Sequence, residues 1–266
     1  MKSQKTTFKQ LTDLYTHPSA ALFRAIELRT IYENSLEFNF VAPSLDLGCG
    51  DGKIAELVFD EPFTYGVDNG EAKDVEEAVK NGRYEKVFLE SAENMSLQDS
   101  SLNFVFSNCV IEHIPNNAAV LSEVGRILKD GGYFMFTVPS HNFPNYLYLT
   151  NKFASYGLSF FSRLYKYRRN KMLNQFHCYD VDDWASRLKP YNLKVVKHKY
   201  YISKPALMMW DKLALNIFFR KFFISTAEKD SLRENFSQLE TVASRDNVVD
   251  SNGAGLFILC KKIAHK

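Results

Sequence analysis

The feature that most constrains the fold is the stretch SLDLGCGDGK, from Ser44 to Lys53, in which a short apolar run leads into three glycines at alternate positions. The apolar run predicts a buried strand, and the residues from Lys53 onward predict a helix. Glycine permits a tight turn and lets a ligand approach the backbone, while the first turn of a helix offers unpaired N–H groups. This arrangement predicts a binding site for a nucleotide-like ligand.

The rest of the chain places this turn in an α/β fold, because short apolar runs alternate with helical patterns as in a parallel sheet covered on both faces. We predict a doubly wound, Rossmann-like sheet of seven mostly parallel strands, in which the last two form an antiparallel hairpin. The predicted strands are residues 44–48, 64–68, 86–91, 102–108, 133–139, 193–201 and 255–263, and the clearest helices are 53–59, 74–82 and 116–132. Gly131 and Gly132 are expected to end the last helix.

Composition argues against several classes of protein. The chain has 33 Lys and Arg against 31 Asp and Glu, and its net charge of +2 offers no general attraction for nucleic acid. Its four cysteines form no CxxC pair, and no histidine and carboxylate cluster has metal-ligand spacing, so we predict neither a metal site nor a disulfide framework. No secretory signal or bilayer-spanning apolar run is visible. We therefore expect a soluble, cytoplasmic protein with the capacity for peripheral membrane contact.

The glycine pattern also narrows the class of ligand. A dinucleotide fingerprint would read GxGxxG, but Lys53 stands where the third glycine would be. Asp46, just before the turn, would repel a pyrophosphate and suits a ligand that carries an amine or another positive charge. Asp68 ends the next strand, where its carboxylate can accept hydrogen bonds from both hydroxyls of a ribose. Together the two acids predict a cationic nucleoside, although Asp68 alone could be a simple turn residue before Asn69 and Gly70.

These stretches resemble the motifs of the class I S-adenosylmethionine-dependent methyltransferases, and in particular the small-molecule subgroup that includes quinone-biosynthesis methyltransferases. LDLGCGDG is similar to the first motif, YGVD to the second, LESAENMSLQDSSLNFVFSNCVIEHI to the third region, and ILKDGGYFMFTVPS to the helix, turn and fifth strand. The resemblance implies a cofactor-binding core at residues 41–140. It leaves a helical cap at residues 1–40, and helical lid insertions with the last two strands at residues 141–266.

The resemblance implies a role for individual residues in binding S-adenosylmethionine, with S-adenosylhomocysteine as the product. Asp46 is expected beside the methionyl ammonium, Asp68 on the ribose, and Asn108 near the methyl group. The set expected to contact the cofactor within this core is Asp46, Gly48, Cys49, Gly50, Asp68, Asn69, Ser91, Ala92, Glu93 and Asn108, and Arg24 of the N-terminal segment is a further candidate. The family often has an acid where Ser91 stands, but the Ser91 hydroxyl can still accept a hydrogen bond.

A general base is needed only if the acceptor is protonated, and two histidines are candidates. His113 follows the fourth strand at the carboxyl edge of the sheet, where ligands bind in doubly wound folds. It could equally be a structural histidine that bonds a backbone carbonyl. His141, just past the fifth strand, is the second candidate, and His177 is more suited to orienting a lid.

Segments outside the core are expected to select the acceptor. Residues 17–32 predict an amphipathic helix on which Arg24 either pairs with the cofactor carboxylate or is an ordinary surface or interhelix arginine. In residues 141–178 aromatic residues alternate with bases, namely Arg163, Lys166, Arg168, Arg169 and Lys171. This segment either binds a phosphorylated or lipid-linked acceptor, rests on an anionic membrane, or is a solvated basic helix with its aromatics in the core. Residues 204–225 also predict a helix with a wide apolar arc. That arc must be buried against the protein's own core, another subunit, an apolar acceptor or a bilayer surface.

The function that fits these observations is methyl transfer to a small-molecule, sugar-linked or lipid-linked acceptor, on oxygen before nitrogen or carbon. Two alternatives stay open. One is a non-catalytic partner subunit that retains the nucleoside pocket, and the other is a different S-adenosylmethionine-using enzyme on the same fold. The sequence does not predict an oligomeric state.

Overall fold

A computed structural model describes residues 8–15, 17–70, 72–223, 239–246, 248 and 251–264. For residues 72 and 216–223 only the backbone is described.

The seven strands form one sheet in the order β3-β2-β1-β4-β5-β7-β6. They are β1 (Ser44–Leu47), β2 (Phe63–Asp68), β3 (Tyr84–Leu89), β4 (Leu102–Asn108), β5 (Leu128–Pro139), β6 (Leu193–Tyr201) and β7 (Gly255–Lys262). The neighbours among β1 to β5 pair in parallel, whereas β7 runs antiparallel to both β5 and β6. The predicted fold class and the antiparallel pairing of the last two strands are confirmed.

Ten helices flank this sheet in the described part of the chain, together with a helical segment at residues 239–245. They are α1 (Phe8–Leu14), α2 (Pro18–Ser35), α3 (Lys53–Val58), α4 (Ala72–Lys80), α5 (Asn117–Ile127), α6 (Phe143–Tyr146), α7 (Tyr148–Ser155), α8 (Ser159–Met172), α9 (Val181–Leu188) and α10 (Lys204–Phe223). Single 3-10 turns occur at Ile111–His113 and Lys189–Tyr191.

Side chains alternate between the two faces of the sheet, as the pleat of a strand requires. On one face, Phe104 and Phe106 pack in a cluster with residues of α1, α2, α3 and α10. On the other face, Val105 and Phe134 pack with residues of α5 and α9. Because both faces are covered, the central strands β1 and β4 are buried along almost their whole length, whereas the edge strands β3 and β6 carry exposed charged residues. The carboxyl ends of the strands are left as the place where loops can build a site.

Strand β5 begins earlier than the sequence predicts. Helix α5 ends at Ile127, and Leu128, which we expected within a helix, already pairs with Leu102 of β4. The ladder shifts register after Leu102, and Gly131 lies within this irregular part of the strand with a φ of +82°. The prediction that Gly131 and Gly132 end the helix is therefore wrong, because full burial of Leu128 favours the strand.

Helix α2 begins at Pro18, which suits the first helical position. It is not the amphipathic helix that we predicted, because buried residues occur around its whole circumference, including the polar residues Ser19, Glu27 and Thr30. The reason is tertiary: α1, α10 and β6 all pack against it. Each buried polar group on α2 therefore needs a partner within the protein.

One buried carboxylate joins the helices that follow β5. Asp211 of α10 is fully buried and accepts hydrogen bonds from the Tyr148 backbone N–H at 2.9 Å, the Tyr165 hydroxyl at 2.8 Å and Arg169 Nε at 2.9 Å. Trp210, beside it, packs against Phe23 and Phe143. In the part of α10 whose side chains are described, the apolar arc is thus covered by the protein itself.

We expect Asp211→Ala to lower the free energy of unfolding by roughly 3 kcal/mol, near the lower end for breaking a buried ion pair, because Arg169 keeps some access to water. Asp130→Ala is the matched control, since Asp130 is exposed and should change stability by less than about 0.5 kcal/mol. Urea titration of both variants measures the difference. Equal stability of the two would show that Asp211 does not hold these helices together.

Candidate active site

A cleft of about 300 Å³ opens at the carboxyl ends of β1, β2 and β4. In the sheet order, the chain reverses its direction of winding between β1 and β4, which is where ligands bind in doubly wound folds. The lining residues are Gly48, Val67, Asp68, Asn69, Glu90, Ala92, Glu93, Cys109, Val110, His113, Ile114 and Pro115. Six residues predicted from the sequence therefore meet at this cleft, and six others join them.

The glycine turn has the backbone shape that the sequence implies. Gly48 has a φ of +78°, and a Cβ atom there would lie 2.3 Å from Cγ2 of Val110, so only glycine fits against the β4 side of the cleft. Gly50 has a φ of +49°, and a Cβ atom there would meet no heavy atom within 4 Å. The turn is thus closed at Gly48 and bordered by open space at Gly50, where a ligand can approach the backbone.

Asp68 ends β2 and fixes this turn. One carboxylate oxygen accepts the Gly50 N–H at 2.8 Å, and the other accepts the Gly70 N–H at 2.7 Å. A carboxylate has about four lone-pair positions, so two acceptor sites are left for groups outside the protein. Because Asp68 also lines the cleft, it can accept hydrogen bonds from the two hydroxyls of a ribose without releasing the turn.

Asp46 and Cys49 lie behind the turn rather than on the cleft wall. Asp46 is buried, and its carboxylate accepts the Tyr84 hydroxyl at 2.7 Å. Burial raises the pKa of Asp46 to about 7, against the opposing effect of the Tyr84 hydrogen bond. The Cys49 side chain is also buried, close to Gly66. The structure therefore does not bring either side chain to the ligand side, and the predicted contact of Asp46 with an ammonium stays a prediction.

The wall expected to border an adenine contains Glu90 in place of the predicted Ser91. Ala92 and Glu93 line the cleft, but Ser91 does not, since its hydroxyl faces the Glu93 backbone N–H at 3.2 Å within a turn. Strand β3 ends at Leu89 instead of residue 91, so Glu90 follows it directly and supplies a second acid on this wall, in addition to Glu93. The rule that strand ends carry site residues would have found Glu90, had the strand been placed correctly.

Asn108 and Arg24 contact each other beside the cleft. The Arg24 guanidinium donates to Asn108 Oδ1 at 2.7 Å and to the fully buried Glu27, which also accepts the Tyr201 hydroxyl at 2.7 Å. Burial alone would raise the pKa of Glu27, but Arg24 and the hydrogen bonds hold it below its ordinary value. Arg24 thus joins α2 to the end of β4 and is not an ordinary surface arginine. Neither Arg24 nor Asn108 is among the residues that line the cleft, and their predicted cofactor contacts stay predictions.

Cys109 is a cleft residue that the sequence did not indicate. It follows β4 with a φ of +53°, and its thiol donates to Glu27 Oε1 at 3.1 Å. Burial raises the pKa of this thiol well above its ordinary value, so Cys109 is a neutral wall rather than a thiolate nucleophile.

His113 lies in the cleft with a defined tautomer. Its Nδ1 is 3.0 Å from the carbonyl oxygen of Asn174, and because a carbonyl only accepts, Nδ1 carries the hydrogen. The neutral ring therefore has its lone pair on Nε2, which lies 3.7 Å from Oε1 of Glu112. Glu112 is almost fully buried, its Oε2 has no hydrogen-bond partner in the described residues, and burial raises its pKa to about 8.

The other two histidines have different surroundings. His141 lines a second cleft of about 580 Å³ together with Asp180, His198 and Tyr200, and the Gly48 turn does not contribute to it. His177 bonds the carbonyl oxygen of Ile114 at 2.9 Å and so ties the segment after α8 to the wall of the first cleft. Of the two predicted bases, the structure brings only His113 together with the glycine turn and Asp68.

Within the described residues, no group of three or more His, Cys, Asp or Glu side chains is arranged to hold a metal ion.

Comparison with known proteins relates part of this chain to the methyltransferases. The family profile described as "Methyltransferase domain" matches residues 45–136. A mouse arsenite methyltransferase is 33% identical over 110 residues, covering 35% of this chain and 29% of that protein. A ubiquinone biosynthesis O-methyltransferase from Photobacterium profundum is 29% identical over 109 residues, covering 39% of this chain and 46% of that protein. The match thus spans less than half of these relatives.

Solved structures extend the likeness to the whole fold. A methyltransferase from Thermotoga maritima aligns with a TM-score of 0.57 at 16% identity, covering 96% of this chain and 99% of that one. A Haemonchus contortus phosphoethanolamine N-methyltransferase, in complex with S-adenosylhomocysteine, aligns with a TM-score of 0.54 at 15% identity, covering 99% of this chain and 62% of that one. At such identities the likeness shows the fold alone.

Residues 45–136 therefore match a methyltransferase domain, and the fold and the cleft at the switch point agree with the class I, S-adenosylmethionine-dependent type of that domain.

We expect Asp68→Ala to weaken binding of S-adenosylhomocysteine about tenfold or more, or roughly 1.4 kcal/mol, because the ribose loses its acceptor and the turn loses its anchor. Isothermal titration calorimetry measures the change. Asp68→Asn tests the acceptor separately, since it keeps the shape of the side chain and replaces one acceptor oxygen with a donor.

Asp74→Ala, at an exposed position of α4, is the matched control and should bind like the parent. If both Asp68 variants also bind like the parent, the assignment of the ribose to Asp68 is wrong.

Proposed function

We propose that this protein transfers a methyl group to an oxygen of a small-molecule, sugar-linked or lipid-linked acceptor. The observation that carries this proposal is that Asp68, the Gly48 turn and His113 line the same cleft, and that the hydrogen of the neutral His113 ring is on Nδ1. The family match supplies the cofactor, and the resemblance to a ubiquinone biosynthesis O-methyltransferase supports oxygen as the acceptor atom.

The residues of the cleft fit the cofactor in three respects. Asp68 retains acceptor positions for hydroxyls, the space beside Gly50 admits a ligand next to the backbone, and Ala92 and Val67 offer an apolar wall to a purine. When bound, S-adenosylmethionine supplies a methyl group on a sulfonium, which is already activated toward a nucleophile. The chain therefore needs mainly to position the acceptor and exclude water.

His113 is the group that we assign to proton removal. Its Nδ1–H is held by the Asn174 carbonyl, so Nε2 is available to accept the proton of an acceptor hydroxyl. Glu112 lies buried beside it, with Oε1 at 3.7 Å from Nε2. The His113 side chain is 40% exposed, so an acceptor molecule can reach it.

The test is incubation with methyl-labelled S-adenosylmethionine and a metabolite extract that includes the lipid fraction. Transfer of label to an extract component supports the proposal. Cofactor binding without turnover would favour the non-catalytic partner subunit, and cofactor consumption without labelled acceptor would favour a different S-adenosylmethionine-using enzyme.

We expect His113→Ala to lower kcat by about 10² to 10⁴, the usual contribution of general base catalysis, with little change in cofactor affinity. His141→Ala is the matched control, because it removes the same type of side chain from the other cleft and should retain activity. Initial rates of label transfer measure both. A loss in His141→Ala with full activity in His113→Ala would reverse the assignment.

A further inference from the structure

The hairpin formed by α7 and α8 has an unusual surface. Eight of the fifteen large hydrophobic side chains that are exposed in the described part of the chain lie in residues 156–176. The most exposed are Tyr156 at 70%, Tyr167 at 66% and Phe160 at 64%. At the tip of the hairpin, every residue from 154 to 161 is exposed. The alternative that the aromatics turn into the core is therefore wrong for Tyr156, Phe160 and Tyr167, whereas Tyr165 does pack against the core.

The outward stripe of α8 combines apolar and basic side chains. Counted from Phe160, the residues Arg163, Leu164, Tyr167 and Lys171 stand 3, 4, 7 and 11 positions further along, so the five lie on one face of the helix, and all are exposed. Aromatic rings and bases on a common face are typical of helices that lie in a membrane interface.

The inward face of α8 is polar, which explains why the aromatics face out. The Ser162 hydroxyl donates to the Thr150 carbonyl at 2.8 Å, and Tyr165 and Arg169 both bond Asp211. Arg169 is thus part of the internal anchor and does not belong to the basic surface. A helix on a water-facing surface normally turns its apolar face inward and its polar face outward. In α8 this arrangement is inverted.

The charge of this region is strongly one-sided. Residues 141–179 contain six Lys and Arg and no Asp or Glu, although the whole chain has a net charge of only +2. Among the described residues, Arg169 is the one base of these six that forms an ion pair. An anionic bilayer has negatively charged headgroups above apolar acyl chains. Excess positive charge next to exposed aromatic rings complements both layers.

None of the described helices has the length and apolarity to cross a bilayer. We propose that the α7–α8 hairpin docks this protein on an anionic bilayer surface, with the tip at residues 156–161 and the stripe Phe160, Arg163, Leu164, Tyr167 and Lys171 in contact with the lipid. The segment that follows α8 contacts the cleft, since the Asn174 carbonyl accepts a hydrogen bond from His113. Docking would therefore place the mouth of the cleft close to the lipid, and it does not depend on which atom is methylated.

Sedimentation with vesicles tests the proposal. The full-length protein is expected to bind vesicles of phosphatidylcholine mixed with phosphatidylglycerol about tenfold or more tightly than vesicles of phosphatidylcholine alone, and added salt should weaken that binding. Phe160→Ser with Tyr167→Ser removes the rings, and Arg163→Gln with Lys171→Gln removes two charges. Each double variant is expected to lose about tenfold or more of the binding to the anionic vesicles.

Matched controls use exposed positions on other elements. Val79→Ser with Val196→Ser removes two exposed apolar side chains from α4 and β6, and Lys73→Gln with Lys194→Gln removes two exposed charges. Both should bind vesicles like the parent. All four double variants should bind S-adenosylhomocysteine unchanged, so that a failure of docking is distinguishable from a failure of the proposed methyl transfer.

Three outcomes would overturn the proposal. The first is no binding to vesicles of either composition, and the second is equal binding to both. The third is a dimer in light scattering that the ring variant alone dissociates, because the hairpin would then be an interface between copies of this chain.

Discussion

The structure depends on a hydrogen bond between two strand ends, in which the Asp68 carboxylate at the tip of β2 accepts the Gly50 N–H of the turn after β1. This bond fixes a turn that could otherwise adopt many conformations, because glycines carry no side chain to restrict them. On the other side, Gly48 packs so closely on Val110 that no other residue fits. The turn is therefore held between β2 and β4, at the point where the sheet reverses its winding, and the cleft follows from that placement.

Local patterns were sufficient to predict most of this framework. The central strands are largely apolar because both faces of the sheet are buried there, and Asp68 is recognisable because it ends a strand beside a glycine turn. The errors arise where tertiary contacts decide. Leu128 has helical spacing but belongs to strand β5. Strand β3 ends at Leu89, earlier than predicted, so that Glu90 lines the cleft in addition to Glu93. The pairing of Arg24 with Glu27 and Asn108 joins distant parts of the chain, which no local pattern shows.

The hairpin after β5 shows a second limit of sequence reasoning. Helical periodicity indicates which residues share a face, but it does not indicate which face turns inward. In α8 the inward face is chosen by Asp211, which lies on another helix and captures Tyr165 and Arg169. As a consequence the aromatic face is exposed beside bases that form no ion pair among the described residues, and Asn174, two residues beyond the end of α8, accepts a hydrogen bond from His113. The Asp211 carboxylate thus orients α8, and the segment that follows this helix contacts His113.

The central claim is that an adenosyl ligand lies against the Gly48 turn with its ribose on Asp68. A crystal structure of the protein with S-adenosylhomocysteine tests it most directly. We predict both ribose hydroxyls within hydrogen-bond distance of Asp68, the adenine beside Ala92 and Glu93, and the sulfur on the side of the cleft that faces His113. A ligand bound in the cleft of His141, or a cleft that stays empty at saturating ligand, would contradict the account.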